Sequence, residues 1–352
     1  EAMGIECIET DMGEFIVQLA GETPSHIIMP AIHKTREQIG QLFATHLEGV
    51  PYTDQVDELI GGGRRILREK FLAADIGITG VNFAVAETGT LCLVENEGNG
   101  RLSSGAPPVH IALAGIDKVI PRLTDLAPLL SLLTRSATGQ IITTYVNLIS
   151  APRRSEERDG PREVHLVLLD NGRSGIHADP QLRQTLLCIR CGACMNHCPV
   201  YARIGGHAYG TVYPGPIGQV LMPQIEGQRR HGELTEACSL NAACGEVCPV
   251  GIPLADLIRR LREERVRPIT DLASASEAPW LEATIWRLWR AICTNPRLYR
   301  LVTWLASRGR HLLPPLPRAW TRHRTLPRPA PHSLHRQLQR RHPARPTHPA
   351  KL

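Results

Sequence analysis

The sequence predicts an α/β domain, then a cysteine-rich helical domain, then a basic C-terminal extension. Three observations predict this order. Short β-rich runs alternate with helical patterns up to residue 172, and seven of the ten cysteines lie between Cys188 and Cys248. Residues 281–352 contain 15 Lys and Arg but only one acid, Glu282. A length of 352 residues agrees with two domains plus an extension.

The composition excludes a disordered chain and a membrane-spanning one. Hydrophobic residues make up 42% and charged residues 21%, as in chains that bury a sizeable core. The longest apolar runs are far shorter than the roughly 20 residues that a spanning helix needs. No basic segment followed by an apolar one precedes the first domain, so no secretory signal is predicted.

Residues 1–172 are predicted to form alternating strands and helices. Residues 25–30 are strand-like, and Thr35 begins a helix with apolar residues at helical spacing. Residues 57–74 are helical on both sides of Gly61-Gly62-Gly63, which we expect to kink the helix rather than to bind a phosphate. The other predicted elements are a strand pair at 76–90 that turns near Glu87, strands at 91–95, 109–114, 141–149 and 164–169, a helix at 123–133 and a charged loop at 153–162.

The first cysteine motif is Cys188-Ile-Arg-Cys191-Gly-Ala-Cys194-Met-Asn-His-Cys198-Pro199. In this spacing, three thiolates on one short loop bind one iron-sulfur cluster, and the fourth cysteine binds the other cluster of a two-cluster ferredoxin. A structural zinc site typically uses two separated cysteine pairs and is the weaker alternative. Clustered thiols also indicate a reducing compartment rather than secreted disulfides.

The second motif is Cys238-Ser-Leu-Asn241-Ala-Ala-Cys244-Gly-Glu-Val-Cys248-Pro249. It fits the same template with asparagine at the second ligand position. If the two motifs exchange their fourth cysteines, each cluster takes ligands from both loops. The predicted ligands are Cys188, Cys191, Cys194 and Cys248 for the first cluster and Cys198, Cys238 and Cys244 for the second.

The missing thiolate leaves the nature of the second cluster open. We expect the first cluster to be [4Fe-4S]. The second is either [3Fe-4S] or a [4Fe-4S] cluster completed by a ligand other than cysteine, and its loss is a further alternative. The candidates for that ligand are solvent, Asn241, His197, His207 and His231.

The cysteine motifs lie in a predicted helical dicluster domain at residues 176–265, with helical stretches at 181–189 and 254–265 and a Gly/Pro-rich connector at 205–216. Two amphipathic, Trp-rich helices follow within 280–307. The first helix is expected to turn Ile285, Leu288, Trp289 and Ile292 inward. Asn295 is expected to cap the second helix, and Pro296 to be its first residue. Residues 311–352, with nine Lys and Arg, nine prolines and no acid, are expected to be mostly disordered.

Weaker signals lie in the α/β domain. His33-Lys34, the turn at Glu87 and the loop at 95–101 could line a ligand cleft, with His33 or Glu87 as an acid-base group. Ordinary turn chemistry explains the same residues without any ligand. The three scattered cysteines, Cys7, Cys92 and Cys293, have apolar neighbours and are expected to be small buried residues.

Taken together, these residues resemble a known family. The stretch Gly77-Ile-Thr-Gly-Val-Asn-Phe-Ala-Val-Ala-Glu87-Thr-Gly-Thr, the segment Glu95-Asn-Glu-Gly-Asn-Gly-Arg101, the two Cys-Pro motifs and the Trp-rich C-terminus are similar to lactate utilisation protein B. This family comprises the iron-sulfur subunits of three-component L-lactate oxidation systems. The resemblance extends from residue 1 to about residue 320 and implies further residues upstream of Glu1. It implies a LUD domain, related to the sugar-phosphate isomerase type of α/β fold, joined to a dicluster domain.

The resemblance also implies a function. The cluster ligands fall on the same seven cysteines, and Asn241 departs from the full four-cysteine pattern. We expect a cytoplasmic electron-transfer subunit that takes part in the oxidation of L-lactate to pyruvate. Peripheral contact with a membrane is a further expectation for its location. Its expected partners are the other subunits of the system and an unidentified electron acceptor. We do not expect it to be the catalytic subunit or to bind nucleic acid. The alternatives are a subunit of a glycolate-type 2-hydroxyacid oxidase and a redox-sensing regulator that binds nucleic acid through the basic tail.

Overall fold

The computed structural model describes residues 4–266, 280–310 and 329–341. The chain divides into two compact units, Glu1–Ser276 and Glu277–Leu352. The first unit begins with an α/β part and continues with a helical part that carries both cysteine motifs. This order confirms the predicted fold class.

Two small sheets form the centre of the α/β part. Strands β1, β4 and β7 form a parallel sheet, in which Ile76 pairs with Val109 and Val109 pairs with Glu163. The second sheet has the order β5-β2-β3-β6, and its β2–β3 hairpin turns at residues 86–89, close to the predicted turn. The strands are β1 (Ile76–Gly80), β2 (Phe83–Val85), β3 (Thr90–Glu95), β4 (Val109–Gly115), β5 (Val119–Ile120), β6 (Tyr145–Ile149) and β7 (Glu163–Leu169).

The two helices predicted from Thr35 and over residues 57–74 form at Arg36–His46 and Val56–Ala73, while the helix predicted at 123–133 runs over Leu126–Thr138. Thr35 caps the second helix in a capping box with Gln38, because each side chain bonds the backbone N–H of the other residue. The predicted kink at Gly61-Gly62-Gly63 is wrong, since one helix runs through all three glycines. Gly63 faces Met12, whose side chain would collide with an added Cβ at 2.7 Å, so this glycine allows close helix packing. The helices are α1 (Met12–Ala20), α2 (Arg36–His46), α3 (Val56–Ala73), α4 (Asn99–Gly105) and α5 (Leu126–Thr138).

The predicted strand at residues 25–30 is also wrong. The buried His26 side chain accepts the backbone N–H groups of Ile28 and Met29 at 3.0 and 3.1 Å. Ser25 donates its own N–H to the Pro30 carbonyl oxygen. The segment therefore forms a compact turn, because its donors bond within the turn instead of to a neighbouring strand.

Short helices surround the cysteine motifs. Their core contains Met195, Ile217, Ile252 and Leu257, each at most 2% exposed. The predicted helix at 181–189 is a 3-10 helix, Leu182–Leu187. The α-helices are α6 (Arg173–Ala178), α7 (Ala193–Asn196), α8 (Tyr201–Ile204), α9 (Gly215–Ile225), α10 (Gln228–His231), α11 (Ala243–Glu246) and α12 (Leu254–Val266).

The first cysteine loop packs on the four-stranded sheet. Ile189, Cys191 and Ala193 share one buried cluster with Phe83 of β2 and Leu126 of α5. The α/β part and the cysteine part therefore share a hydrophobic core within the first unit.

The second unit contains α13 (Trp280–Thr294), α14 (Pro296–Arg308) and α15 (Leu334–Arg341). Asn295 caps α14 as predicted, accepting the N–H groups of Arg297 and Leu298. The expected inward packing of α13 is wrong for Ile285, Leu288 and Trp289, which are 57–61% exposed, while Ile292 is half-buried.

Within the predicted disordered tail, 311–352, the described residues 329–341 include the helix α15. The rest of the predicted tail lies outside the described residues. In the part of the chain that the structure describes, no helix combines the length and the apolar character that a bilayer span requires.

The scattered cysteines differ in their environments. Cys92 in β3 is fully buried, as predicted, and burial raises its pKa to about 11. Cys7 and Cys293 are exposed, which contradicts the prediction. Cys7 precedes α1 in an irregular segment, and Cys293 lies near the end of α13, so apolar neighbours in sequence did not indicate burial.

An ion pair joins the two ends of the cysteine part. The Arg260 guanidinium on α12 binds both carboxylate oxygens of Asp179. Asp179 also accepts the N–H groups of Gln181 and Leu182 at 2.8 and 2.9 Å. The Arg260 hydrogen bonds are the main cause of a lowered Asp179 pKa.

We expect Asp179→Asn to destabilise the protein by about 1–2 kcal/mol at pH 7, because it removes a charged bidentate contact that is partly open to solvent. Because the Asp179 pKa is lowered in the folded state, the stabilisation is fully present above the ordinary carboxyl pKa of about 3.9 and declines progressively as the pH falls from there through the lowered pKa. Thermal unfolding followed by circular dichroism should show the loss at pH 7 and a smaller difference from wild type below pH 4. The control is Asp256→Asn, which removes an exposed pair with Arg259 on the same helix. An equal loss in both variants would contradict this account.

Candidate metal centre

The first cysteine loop begins where the 3-10 helix Leu182–Leu187 ends. Arg190 and Gly192 have φ angles of +64° and +73°, which bend the backbone around the cysteines. The N–H of Arg190 donates to Cys188 Sγ at 3.4 Å. Burial raises the pKa of Cys191, and the N–H of Ala193 partly offsets this effect.

The second cysteine loop has the same backbone conformation. Leu240 and Ala242 have φ angles of +56° and +65°, at the positions that correspond to Arg190 and Gly192. The N–H of Leu240 donates to Cys238 Sγ at 3.3 Å. The similarity of the two sequence motifs is therefore also a similarity of conformation.

Four of the predicted ligands line one cavity. Cys188, Cys191 and Cys194 come from the first loop, and Cys248 comes from the second. The other residues that line this cavity are Ile27, Ile189, Gly192, Ile217, Pro249, Val250, Ile252 and Leu254. The N–H of Ile252 donates to Cys248 Sγ at 3.4 Å.

The other three predicted ligands, Cys198, Cys238 and Cys244, adjoin one another. Burial raises the pKa of Cys244 to about 11, and the neighbouring Cys238 and Cys198 add to the increase. The N–H of Tyr201 donates to Cys198 Sγ at 3.4 Å. The structure thus brings the seven cysteines together as a group of four and a group of three, with the fourth cysteine of each loop facing the other loop's group.

The donor set fits iron-sulfur clusters. Among the described residues, the cavity lining contains soft sulfur ligands and apolar groups but no carboxylate or imidazole. A structural zinc site typically uses two separated cysteine pairs, whereas this group takes three cysteines from one short loop and one from the other. Backbone N–H groups directed at the sulfurs are a typical feature around iron-sulfur clusters.

Asn241 takes the place of Cys191 in the second loop. Its carboxamide oxygen accepts the N–H of Ala243 at 3.3 Å, as the Cys191 sulfur interacts with the N–H of Ala193. Asn241 is exposed, whereas Cys191 is buried. The second group is therefore open to solvent at the corner where the cysteine is missing.

The three histidine candidates each have a partner outside the cysteine groups. His197 bonds the Ala193 carbonyl oxygen at 3.0 Å, and His231 bonds the Glu226 carboxylate at 3.0 Å. His207 donates from Nε2 to the carbonyl oxygen of Thr23 at 2.7 Å. These contacts favour a structural role for the three imidazoles.

The weaker candidates in the α/β part each bond to nearby groups of the protein. His33 lies between Ser25 Oγ at 2.7 Å and the Glu22 carboxylate at 2.8 Å, and Lys34 also binds Glu22. The Glu87 carboxylate accepts the N–H of Leu123.

Within the loop at 95–101, the Glu95 carboxylate accepts the N–H groups of Gly100 and Arg101 at the start of α4. These contacts support the turn interpretation of that loop.

Sequence reasoning missed a group of charges beside the first loop. Lys118 donates to the carbonyl oxygen of Cys188 at 2.5 Å, and the buried Asp117 binds Arg173. Arg190 lies 3.9 Å from the Asp117 carboxylate and stacks over the Tyr213 ring. Lys118 lies far from the cysteines in sequence, and no local pattern indicates that it reaches them.

Gly192 and Ala242 occupy corresponding left-handed positions of the two loops, so exchanging the residue type at each should have opposite effects on stability. A left-handed conformation costs a residue with a Cβ about 1–2 kcal/mol, which glycine avoids. Gly192→Ala should therefore destabilise the protein, since the new Cβ would also lie 3.0 Å from the His26 ring. Ala242→Gly should leave the stability unchanged or raise it by up to about 1 kcal/mol. Thermal unfolding of both variants tests this, and equal destabilisation by the two would show that the loops are not equivalent.

Comparisons with known proteins agree with this organisation. The chain matches the LUD domain over residues 1–169, the 4Fe-4S dicluster domain over residues 184–252 and the C-terminal domain of lactate utilisation protein B over residues 260–343. The fold is therefore a LUD domain followed by a 4Fe-4S dicluster domain.

Several curated relatives are named lactate utilization protein B. The protein from Bacillus subtilis is 49% identical over 267 residues, 76% of this chain and 55% of the relative. The protein from Bacillus velezensis is 45% identical over 302 residues, 86% of this chain and 62% of the relative. The protein from Geobacillus thermodenitrificans is 44% identical over 339 residues, 94% of this chain and 70% of the relative.

The chain thus spans less than two thirds of the length of the two Bacillus relatives and 70% of the Geobacillus one. An identity of 44% over 94% of the chain, together with the LUD and C-terminal domain matches, identifies the family. The chain belongs to the lactate utilization protein B family.

Proposed function

We propose that this chain relays single electrons through two iron-sulfur clusters in a system that oxidises L-lactate to pyruvate. The observation that carries the proposal is the division of seven cysteines into two groups, each drawn from both loops. The names of the relatives support lactate as the substrate of the system. A cluster held by such thiolates accepts and releases one electron at a time.

In this proposal, Cys188, Cys191, Cys194 and Cys248 hold a [4Fe-4S] cluster. The second cluster is held by Cys198, Cys238 and Cys244, and it is [3Fe-4S] or a [4Fe-4S] cluster with a ligand other than cysteine. Asn241 is the candidate for that ligand, because its oxygen lies where the loop conformation puts the Cys191 sulfur in the first loop.

The chain's own residues would tune the two sites differently. The cations of Lys118 and Arg190 lie beside the first group, while Asp117 offsets part of their charge. A net positive surrounding favours the arrival of an electron. The N–H groups directed at Cys188, Cys198, Cys238 and Cys248 stabilise negative charge on sulfur.

The exposure of the second loop supports a direction of access. Leu240, Asn241 and Ala242 are exposed, whereas Cys191, Gly192 and Ala193 of the first loop are buried. A redox partner can approach the second group more closely than the first. We therefore propose that electrons pass between this chain and another subunit or an acceptor at the second loop, in the reducing environment of the cytoplasm.

The proposal is tested on the chain purified anaerobically together with the other subunits of the system. We expect two centres by iron and sulfide analysis and by electron paramagnetic resonance, and bleaching of the cluster absorbance when L-lactate is added. A [3Fe-4S] centre would give a signal as isolated, and a [4Fe-4S] centre would give one after reduction.

The same measurement separates the alternatives. Bleaching by glycolate but not by L-lactate would replace lactate with another 2-hydroxyacid as the substrate. Colourless protein that contains zinc or no metal would contradict the proposal entirely.

A further inference from the structure

The Tyr209 hydroxyl is a buried polar group that no hydrogen bond explains. Tyr209 ends the 3-10 helix His207–Tyr209 and is 4% exposed. Its ring packs with Met222 and Leu234, and Ala237, which precedes Cys238, contacts the same cluster. Within the described residues, the hydroxyl oxygen is buried and has no hydrogen-bond partner.

The side chains next to this hydroxyl are ligands of the proposed second cluster. The thiols of Cys198 and Cys238 are neighbours of the Tyr209 hydroxyl. Cys198 is close enough to interact with the hydroxyl through its sulfur. The ring of Tyr201, three residues after Cys198, lies 6.2 Å from the Tyr209 ring.

The neighbouring Tyr201, unlike Tyr209, has a hydrogen-bonded hydroxyl. Tyr201 donates its O–H to the carbonyl oxygen of Ser25 at 2.7 Å, away from the cysteines. Tyr209 has no such acceptor among the described residues. A buried hydroxyl without a partner is unfavourable, so native structures rarely keep one without a reason.

The Tyr209 hydroxyl gains a strong hydrogen-bond acceptor when Cys198 is ionised. A protonated thiol is only a weak acceptor of hydrogen bonds. An iron-bound cysteine is a thiolate, and a hydrogen bond to a charged acceptor is about twice as strong as a neutral one.

We propose that Tyr209 donates its hydroxyl to the iron-bound sulfur of Cys198 and so raises the reduction potential of the second cluster. This inference rests on the proposed function, because it requires a cluster at Cys198, Cys238 and Cys244. The hydrogen bond strengthens when an added electron increases the negative charge on the sulfurs, and it therefore stabilises the reduced state. Tyr209 itself binds no iron and acts on the second cluster only through its hydrogen bond to the Cys198 sulfur.

The test compares Tyr209→Phe with wild type in redox titrations of the anaerobically purified complex, followed by electron paramagnetic resonance. We expect the equilibrium constant for reduction of the second centre to fall about tenfold, which is about 59 mV for a one-electron couple. The potential of the first centre should not change. Tyr201→Phe is the matched control, because it removes a hydroxyl from the adjacent ring that bonds Ser25 instead, and it should leave both potentials unchanged.

A second measurement detects the proton itself. In deuterated buffer, electron-nuclear double resonance on the second centre should show an exchangeable deuteron that is missing in Tyr209→Phe. An unchanged potential in Tyr209→Phe, or an equal fall in Tyr201→Phe, would overturn the inference. Loss of iron from the second centre of a folded Tyr209→Phe protein would also overturn it, because it would make Tyr209 a ligand. A wild-type protein without clusters would instead refute the proposed function.

Discussion

Burial of the first cysteine loop against the four-stranded sheet is the contact on which the metal-binding part depends. Ile189 and Ala193 lie in the same core as Phe83 and Leu126, and burial of a side chain such as Ile189 contributes about 1.5–3 kcal/mol. This contact holds the loop between the α/β part and α12, so that its three thiols face Cys248 across an apolar cavity. The LUD domain therefore forms one wall of the first site.

The two loops share a backbone conformation but differ in their surroundings. The first is buried, near the cations of Lys118 and Arg190, and supplies three cysteines to its own group. The second is exposed at Asn241 and contributes only two cysteines to its group. The two similar motifs therefore form one enclosed group of cysteines and one group that is more accessible to solvent.

Local patterns in the sequence predicted the features that local forces determine. The cysteine spacing indicated both loops, and the caps at Thr35 and Asn295 marked two helix starts. The strand predicted at residues 25–30 is wrong because the His26 side chain bonds the N–H of Ile28 within the same segment, a contact that strand propensity does not indicate. The kink predicted at the three glycines of α3 is wrong where a distant residue matters, because Gly63 lies against Met12 in a continuous helix. Lys118 and Tyr209 were missed for the same reason, because only the tertiary fold brings them to the cysteines.

The crossed assignment of the fourth cysteines is tested most directly by removing one of them at a time. Cys188→Ser and Cys244→Ser first identify the resonance signals of the first and second centres. Our account predicts that Cys248→Ser alters the same signal as Cys188→Ser, and that Cys198→Ser alters the same signal as Cys244→Ser. If Cys248→Ser instead perturbed the centre that depends on Cys244, each loop would hold its own cluster and the account would be wrong.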